Sequence, residues 1–213
     1  MQFGASVRYW LPFEAHFLGL WRLSSNRIEN QIMHELHKGE IDMPPDDLKI
    51  EKKRKKPFYI AGIGGSAGSL EAFEEFFRNM PVDTGMAFVL VSHLDPTHKA
   101  LLAELLQRVT TMKVIEVIDG MKVLPNSVYV IPPNKDMSIM HGTLQLLEPS
   151  MPRGFRMPID FLFRHLADDK KEFAICIILS GMGTDGTLGL KAIKEKMGLV
   201  MVQDISSAKY DWM

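Results

Sequence analysis

The chain has 213 residues, 46% of them hydrophobic and 24% charged, which is the usual balance of a globular protein and enough for one α/β domain with a sizeable core. The formal net charge of -1 excludes a global field that would attract nucleic acid or an anionic membrane. No apolar run approaches the ~20 residues needed to cross a bilayer, and the only cysteine, Cys176, favours a reducing compartment. We therefore expect a cytoplasmic protein that binds no nucleic acid and does not insert into membranes.

Residues 1–56 differ from the rest of the chain because they show no sustained hydrophobic period. They begin with scattered aromatic side chains and end in the Pro44-Pro45 pair and a basic run over residues 52–56. No aromatic side chains interleave with the basic run to stack on bases, so it is more typical of a solvated tether than of a nucleic-acid site. We predict a poorly ordered extension or linker over 1–56 and a folded domain over 57–213.

From residue 58 onward, predicted strands alternate with predicted helices. Buried apolar runs predict strands over 58–63, 86–92, 173–180 and 199–203, with shorter strands over 114–118 and 127–131 and a hairpin around His141-Gly142. Apolar spacings of three and four predict helices around residues 70–77, 101–106, 158–167 and 187–197. This order predicts an α/β fold: a doubly wound, mainly parallel sheet with helices on both faces, Rossmann-like in its three layers, plus a small antiparallel hairpin.

Three of the predicted strands are followed by residues that carry chemistry. The first runs into a Gly-x-Ser-x-Gly turn that contains Ser66, the second ends at His93, and the third precedes a Gly-Met-Gly-Thr-Asp-Gly turn that contains Asp185. In open α/β sheets, chemistry gathers beyond the carboxyl ends of the strands. The sequence therefore predicts that these three side chains meet at one edge of the sheet.

A serine, a histidine and an aspartate together form a nucleophilic triad. The serine hydroxyl needs a base with a near-neutral pKa, and the aspartate orients that base and stabilises its protonated form. Gly65 and Ala67 flank the serine near the site, and the Met182 amide is a candidate donor to the negative charge on an attacked carbonyl. Alone, a histidine here could be a core residue and the aspartate a helix cap, so the prediction depends on their coincidence.

These motifs resemble the catalytic domain of the CheB-type chemotaxis methylesterases. That family has the same serine turn, a histidine at a strand end and the Gly-Met-Gly-x-Asp-Gly turn. The resemblance covers about residues 57–213 and is greatest to the form fused to a methyltransferase in some bacteria. Further agreement lies in residues 119–121, 128–133, 157–160 and 206–211. The family continues beyond the Tyr210-Asp211 motif, so the resemblance implies a domain truncated at its C-terminus.

The resemblance implies a protein-glutamate methylesterase that hydrolyses glutamate γ-methyl esters, and deamidates glutamines in some members, on cytoplasmic helices of chemoreceptors. It assigns Ser66 as nucleophile, His93 as general base and acid, Asp185 as the orienting acid and the Met182 amide as part of the oxyanion hole. It implies no metal and no organic cofactor. The implied partners are a methylated chemoreceptor-type protein and a methyltransferase or signalling kinase. Ala67 replaces a threonine that is frequent in the family, which removes one hydroxyl near the site.

Two other classes of function stay open. The truncation, the change at Ala67 and Ser69 in place of a glycine usual in the family motivate a catalytically inactive module that binds receptors or signalling partners, whereas the retention of all three triad residues argues against it. A dinucleotide-binding domain would explain the Gly62-x-Gly64-x-x-Ala67 spacing, but the ribose-binding acid expected at the end of the second strand is replaced by a histidine. Outside the strand ends, Arg153 and Arg156 are weak candidates for contacts with an acidic receptor helix.

Overall fold

The computed structural model describes residues 57–93, 96–152 and 154–212. The extension predicted over 1–56, with its basic run, lies outside the described residues. The strands are β1 (Ile60–Gly65), β2 (Ala87–Ser92), β3 (Lys113–Glu116), β4 (Met121–Lys122), β5 (Ser127–Val130), β6 (Asp136–Met140), β7 (Thr143–Leu147), β8 (Ala174–Ile178), β9 (Gly181–Met182), β10 (Leu199–Val202) and β11 (Asp211–Trp212). The helices are α1 (Ser69–Arg78), α2 (Pro96–Gln107), α3 (Pro158–Lys170) and α4 (Thr187–Glu195).

The principal sheet has six strands in the order β10-β8-β1-β2-β5-β3, and every neighbouring pair is parallel. The fold-class prediction is therefore confirmed. The central strands β1, β2 and β8 are buried along their whole length, which is why their sequences read as continuous apolar runs without alternation. Their carboxyl ends lie side by side at one edge of the sheet.

Helices cover both faces of this sheet. On one face, Phe76 and Phe77 of α1 make edge-on contacts with Phe88 of β2, at ring distances of 6.0 and 5.5 Å. On the other face, α3 packs directly on β1, and a Cβ added at Gly64 would lie 2.5 Å from Ile159 Cγ2. Because β1 carries a glycine at that point, the first turn of α3 can approach the end of the strand that precedes Ser66.

The small antiparallel sheet has the order β4-β7-β6. It contains the predicted hairpin: β6 and β7 are joined through His141 and Gly142, whose φ angles of 51° and 70° fit a two-residue type I′ turn. The sequence patterns did not predict the two-residue strands β4, β9 and β11. The strand predicted over 173–180 is shorter, because Lys171–Phe173 form a 3₁₀ turn and β8 ends at Ile178.

Cys176 is fully buried in β8, and burial raises the pKa of its thiol well above the ordinary value, as expected for a core cysteine. In the part of the chain that the structure describes, none of the helices combines the length and the apolar character that crossing a membrane requires.

Candidate active site

The sheet order brings the three predicted strand ends together. β1 lies between β2 and β8, and Ser66 follows β1 directly. On one side, the His93 N–H donates to Gly65 O at 3.1 Å; on the other, the Ser66 N–H donates to Ser180 O at 3.1 Å, just past the end of β8. Backbone hydrogen bonds therefore tie the serine turn to its neighbours on both sides.

His93 and Asp185 form a direct hydrogen bond of 2.6 Å between Nε2 and Oδ2. The Asp185 side chain is 4% exposed and that of His93 is 29% exposed, so the carboxylate is shielded while the ring reaches solvent. An ionised carboxylate can only accept, so Nε2 carries the proton in this bond. This tautomer leaves Nδ1 as the ring nitrogen that can accept a proton.

The Ser66 side chain is partly exposed at the start of the turn before α1. Hydrogen bonds within the described residues involve its backbone and not its hydroxyl. Catalytic hydrogen bonds of this kind often tighten only when substrate binds. The structure thus brings Ser66, His93 and Asp185 to adjacent strand ends, and it joins His93 and Asp185 by a hydrogen bond.

The Asp185 carboxylate is held by the amino end of α3. Its Oδ2 accepts from the Ile159 N–H at 3.0 Å and its Oδ1 accepts from the Asp160 N–H at 2.8 Å. The first residue of α3 is Pro158, which has no N–H, so these are among the first donors that the helix offers. A helix amino end favours an anion, which fixes the position of the carboxylate beside His93. Asp185 therefore caps α3 and not α4, the helix that follows it in sequence.

The tight turn around Ser66 depends on two glycines. A Cβ at the buried Gly65 would lie 2.5 Å from Ser69 Cβ, and Gly68, with a φ of 71°, would bring a Cβ to 2.9 Å from Lys209 Cδ. Ala67 is partly buried, and its carbonyl accepts a hydrogen bond from the Ser180 hydroxyl at 3.2 Å. The turn therefore has close neighbours on α1 and on the last residues of the chain.

The sequence patterns missed Ser180, which connects the serine turn to the segment over 203–212. Its buried hydroxyl accepts from the Tyr210 N–H at 2.9 Å and its N–H donates to Gln203 Oε1 at 2.7 Å. The only sequence signal was its position directly before the Gly181-Met182 turn. Ser180 therefore contacts both the serine turn and the segment over 203–212.

The amide of Met182, the predicted oxyanion donor, does not pair with the neighbouring strand β11. β9 pairs with β11, and the Gly181 N–H donates to Tyr210 O at 3.1 Å. Successive residues of a strand direct their N–H groups to opposite edges, so the Met182 N–H points away from β11. Its side chain is 54% exposed.

The remaining predicted residues are less informative. Arg156 donates through Nε to Met151 O at 2.7 Å, which anchors its side chain in its own loop. Arg153 lies outside the described residues. Among the described residues, no three His, Cys, Asp or Glu side chains cluster in a way that could hold a metal ion. Gly62 and Gly64 lie inside β1 beneath α3, so they serve close helix packing and do not form the phosphate turn that a dinucleotide would need.

Comparison with known proteins points to one family. The family model for CheB methylesterase matches residues 61–213. A protein-glutamate methylesterase/protein-glutamine glutaminase of Syntrophomonas wolfei is 31% identical over 186 residues, covering 83% of this chain and 51% of the relative. The protein-glutamate methylesterase FrzG of Myxococcus xanthus is 29% identical over 166 residues, covering 78% of this chain and 50% of the relative. The chain thus spans about half the length of these curated relatives.

A solved structure agrees with the sequence comparisons. The crystal structure of the Thermotoga maritima CheB methylesterase catalytic domain superimposes with a TM-score of 0.68 and 28% sequence identity. The match covers 74% of this chain and 85% of that chain.

Proposed function

The chain belongs to the CheB methylesterase family, and we propose that it is a serine esterase that hydrolyses glutamate γ-methyl esters, and deamidates glutamines, on the cytoplasmic helices of a chemoreceptor-type protein. The observation that carries the proposal is the 2.6 Å His93–Asp185 hydrogen bond beside Ser66, at the carboxyl edge of the parallel sheet. The name of the Syntrophomonas wolfei relative, which combines methylesterase and glutaminase, supports both reactions, and the name of FrzG supports the esterase reaction. The proposal includes a cytoplasmic site of action and a methyltransferase or signalling kinase as a further partner.

In the proposed reaction, His93 Nδ1 removes the proton of Ser66 as the serine Oγ attacks the ester carbonyl. The Met182 amide donates to the oxygen on which negative charge develops. When the tetrahedral intermediate collapses, His93 returns the proton to the leaving methoxide, so methanol departs and an acyl-enzyme remains on Ser66. A water molecule, deprotonated by His93, then attacks the acyl carbon; the bond to Ser66 Oγ breaks, His93 returns the proton to Oγ, and the free glutamate side chain is released. Asp185 stabilises the imidazolium that forms in both steps.

The proposal is tested by methanol release from a methyl-esterified receptor fragment, with cooperative unfolding checked in parallel. We expect release by the wild-type chain and none above background by Ser66→Ala, because the substitution removes the only group that forms the acyl-enzyme. The matched control is Ser69→Ala, three residues away. The Ser69 hydroxyl is buried and has no hydrogen-bond partner among the residues that the structure describes, so its removal should leave the rate unchanged.

The outcome also separates the proposal from its principal alternative. A folded wild-type chain that binds the receptor fragment but releases no methanol would identify an inactive binding module, for which the missing hydroxyl at Ala67 would be a reason. Labelling of the wild-type chain, but not of Ser66→Ala, by a reactive-serine probe would argue against that alternative independently of the receptor.

A further inference from the structure

Asp160 is a buried acid that the proposed reaction does not use. It lies in the first turn of α3, and the residue is only 3% exposed. It also belongs to residues 157–160, one of the further stretches in which the sequence resembles the CheB-type family. Burial is the largest cause that raises the pKa of its carboxyl, and the neighbouring Asp185 raises it further, whereas the Gly189 and Gly186 amides and Arg164 act in the opposite direction. A carboxyl in this position is unfavourable on its own, so its contacts require an explanation.

Asp160 is hydrogen-bonded both to Asp185 and to the start of α4. The Asp160 N–H donates to Asp185 Oδ1 at 2.8 Å, while Asp160 Oδ1 accepts from the Gly189 N–H at 2.6 Å. Gly189 lies in the first turn of α4, four residues after Asp185. Asp185, which precedes α4, therefore accepts hydrogen bonds from the amino end of α3, and Asp160, which lies in α3, accepts one from the amino end of α4. These bonds hold the loop that carries Asp185 from both sides.

The close approach of the two helices depends on Gly189. A Cβ at this residue would lie 2.4 Å from Phe163 Cβ, so α4 can meet α3 here only through a glycine. The Gly189 N–H is buried between the helices, and Asp160 supplies its acceptor. Without that acceptor, a buried donor would be unsatisfied, and the start of α4 would separate from α3 to recover a partner.

We propose that Asp160 is a positioning residue that holds Asp185 against His93, by tying the start of α4 to the start of α3 on either side of the Asp185 loop. This inference rests on the proposed function, in which His93 is the base. The chain of contacts runs from the Gly189 amide through Asp160 to the α3 amides, then to the Asp185 carboxylate and to His93 Nε2. Asp160 acts through Asp185 and does not itself touch the reacting atoms.

The test compares Asp160→Ala, which removes the acceptor, with Asp160→Asn, which keeps an acceptor oxygen in the same place. The first measurement is the proton NMR resonance of the His93 Nε2–H, which a short hydrogen bond to a carboxylate moves far downfield. We expect this resonance to be lost or moved upfield in Asp160→Ala and retained in Asp160→Asn. The second is methanol release: kcat should fall about 10- to 100-fold in Asp160→Ala with KM little changed, since the base is misplaced and substrate contacts are not.

Asp169→Ala is the matched control. Asp169 lies at the opposite end of α3, and its largely buried Oδ2 accepts from the Gly142 N–H at 3.0 Å, so the variant also removes a carboxylate-to-amide bond from the same helix. It should lower stability without changing the His93 resonance or kcat. If Asp160→Ala does not unfold cooperatively, Asp160→Leu replaces it, because leucine fills the space and supplies no acceptor.

Three results would overturn the inference: a folded Asp160→Ala or Asp160→Leu with the wild-type resonance and kcat, an Asp160→Asn that loses both as fully as alanine does, or the same loss in Asp169→Ala. The NMR comparison keeps this inference separate from the proposed function. A wild-type chain that released no methanol would contradict the esterase, but its His93 resonance would still report whether Asp160 positions Asp185.

Discussion

At the scale of single residues, the candidate site depends on small polar groups that satisfy several neighbours at once. Ser180 is the clearest case outside the three predicted catalytic residues: its carbonyl accepts from the Ser66 N–H, and its hydroxyl joins Ala67 O to the Tyr210 N–H. Asp185 has a similar position, since its two oxygens serve both α3 and His93. These polar groups hold the turn around Ser66 and the carboxylate of Asp185 in place through hydrogen bonds to the backbone.

We predict that Ser180→Ala lowers the free energy of unfolding by about 0.5–1.5 kcal/mol, since the Tyr210 N–H loses the buried Ser180 hydroxyl as its acceptor. It should also lower kcat, because the serine turn loses its connection to the segment over 203–212. Ser180→Thr keeps the hydroxyl and should restore most of both. Urea unfolding and methanol release measure the two effects. A threonine variant as impaired as the alanine variant would contradict a role for the hydroxyl.

A second prediction at this scale concerns pH. Because the pKa of Asp160 is raised above its ordinary value of 3.8, the folded protein holds this proton more tightly than the unfolded chain does. The associated stability is fully present below that ordinary value and is lost as pH rises through the folded-state pKa. We therefore expect Asp160→Asn to gain stability relative to the wild type as pH rises from about 4 towards 7, measured by urea unfolding at each pH.

The control for this titration is Ser69→Ala, which removes no titratable group, so its stability relative to the wild type should not change with pH. If the difference in unfolding free energy between Asp160→Asn and the wild type also stayed constant with pH, the pKa of the Asp160 carboxyl would not be raised in the folded protein.

At the scale of elements, the site depends on how α3 lies on β1. Its amino end supplies the amides that hold Asp185, and it reaches them because β1 presents glycines beneath the helix. The spacing is tightest at Gly64, where a Cβ would meet Ile159 Cγ2 at 2.5 Å, and looser at Gly62, where the nearest atoms are Leu166 Cδ2 and Phe163 Cε1 at 3.0 Å. The position of α3 is therefore coupled to the position of Asp185 beside His93.

This coupling predicts a graded pair of variants. Gly64→Ala should lower the free energy of unfolding by about 1–3 kcal/mol and reduce methanol release, because the β-branched Ile159 cannot rotate away and α3 must shift. Gly62→Ala should cost less in both measurements, since the end of a leucine side chain can move. Equal losses in the two variants, or a larger loss at Gly62, would contradict this account of the helix–strand contact.

At the scale of the whole molecule, the sheet ends in an edge strand with exposed apolar side chains. β10 pairs with β8 on one side, and in the described ranges no strand pairs with its other side. Leu199 and Val202 of this strand are 50% and 52% exposed, and Ile205 beyond it is 64% exposed. An exposed apolar edge of this kind favours pairing between chains.

We predict that the protein associates with increasing concentration and that Leu199→Lys weakens this association, because a lysine on an edge strand opposes strand pairing. Sedimentation velocity over a range of concentrations measures the effect. Leu124→Lys is the control, since Leu124 has a similar exposure of 49% but follows β4, away from this edge. Methanol release should be unchanged in both variants. Equal sedimentation of the wild type and Leu199→Lys would contradict a role for the edge.

Much of this organisation could be predicted from the order of residues. The continuous apolar runs of the central strands and the spacing of Phe73, Phe76 and Phe77 indicate which faces are buried, and the six-stranded parallel sheet confirms the predicted fold class. Because parallel strands end at one edge, the same patterns were enough to predict that Ser66, His93 and Asp185 lie together. Their catalytic roles remain predictions for the methanol-release experiment.

The contacts that organise the site could not be predicted in this way. The Asp160–Gly189 and Ser180–Tyr210 hydrogen bonds join residues 29 and 30 positions apart, and Asp185 accepts from α3 amides 25 and 26 positions away. Periodicity reports whether a side chain faces the core, which is a local property of one helix or strand. Which buried donor meets which acceptor depends on the packing of α3, α4 and the segment over 203–212 against the sheet, and that packing exists only in the folded chain.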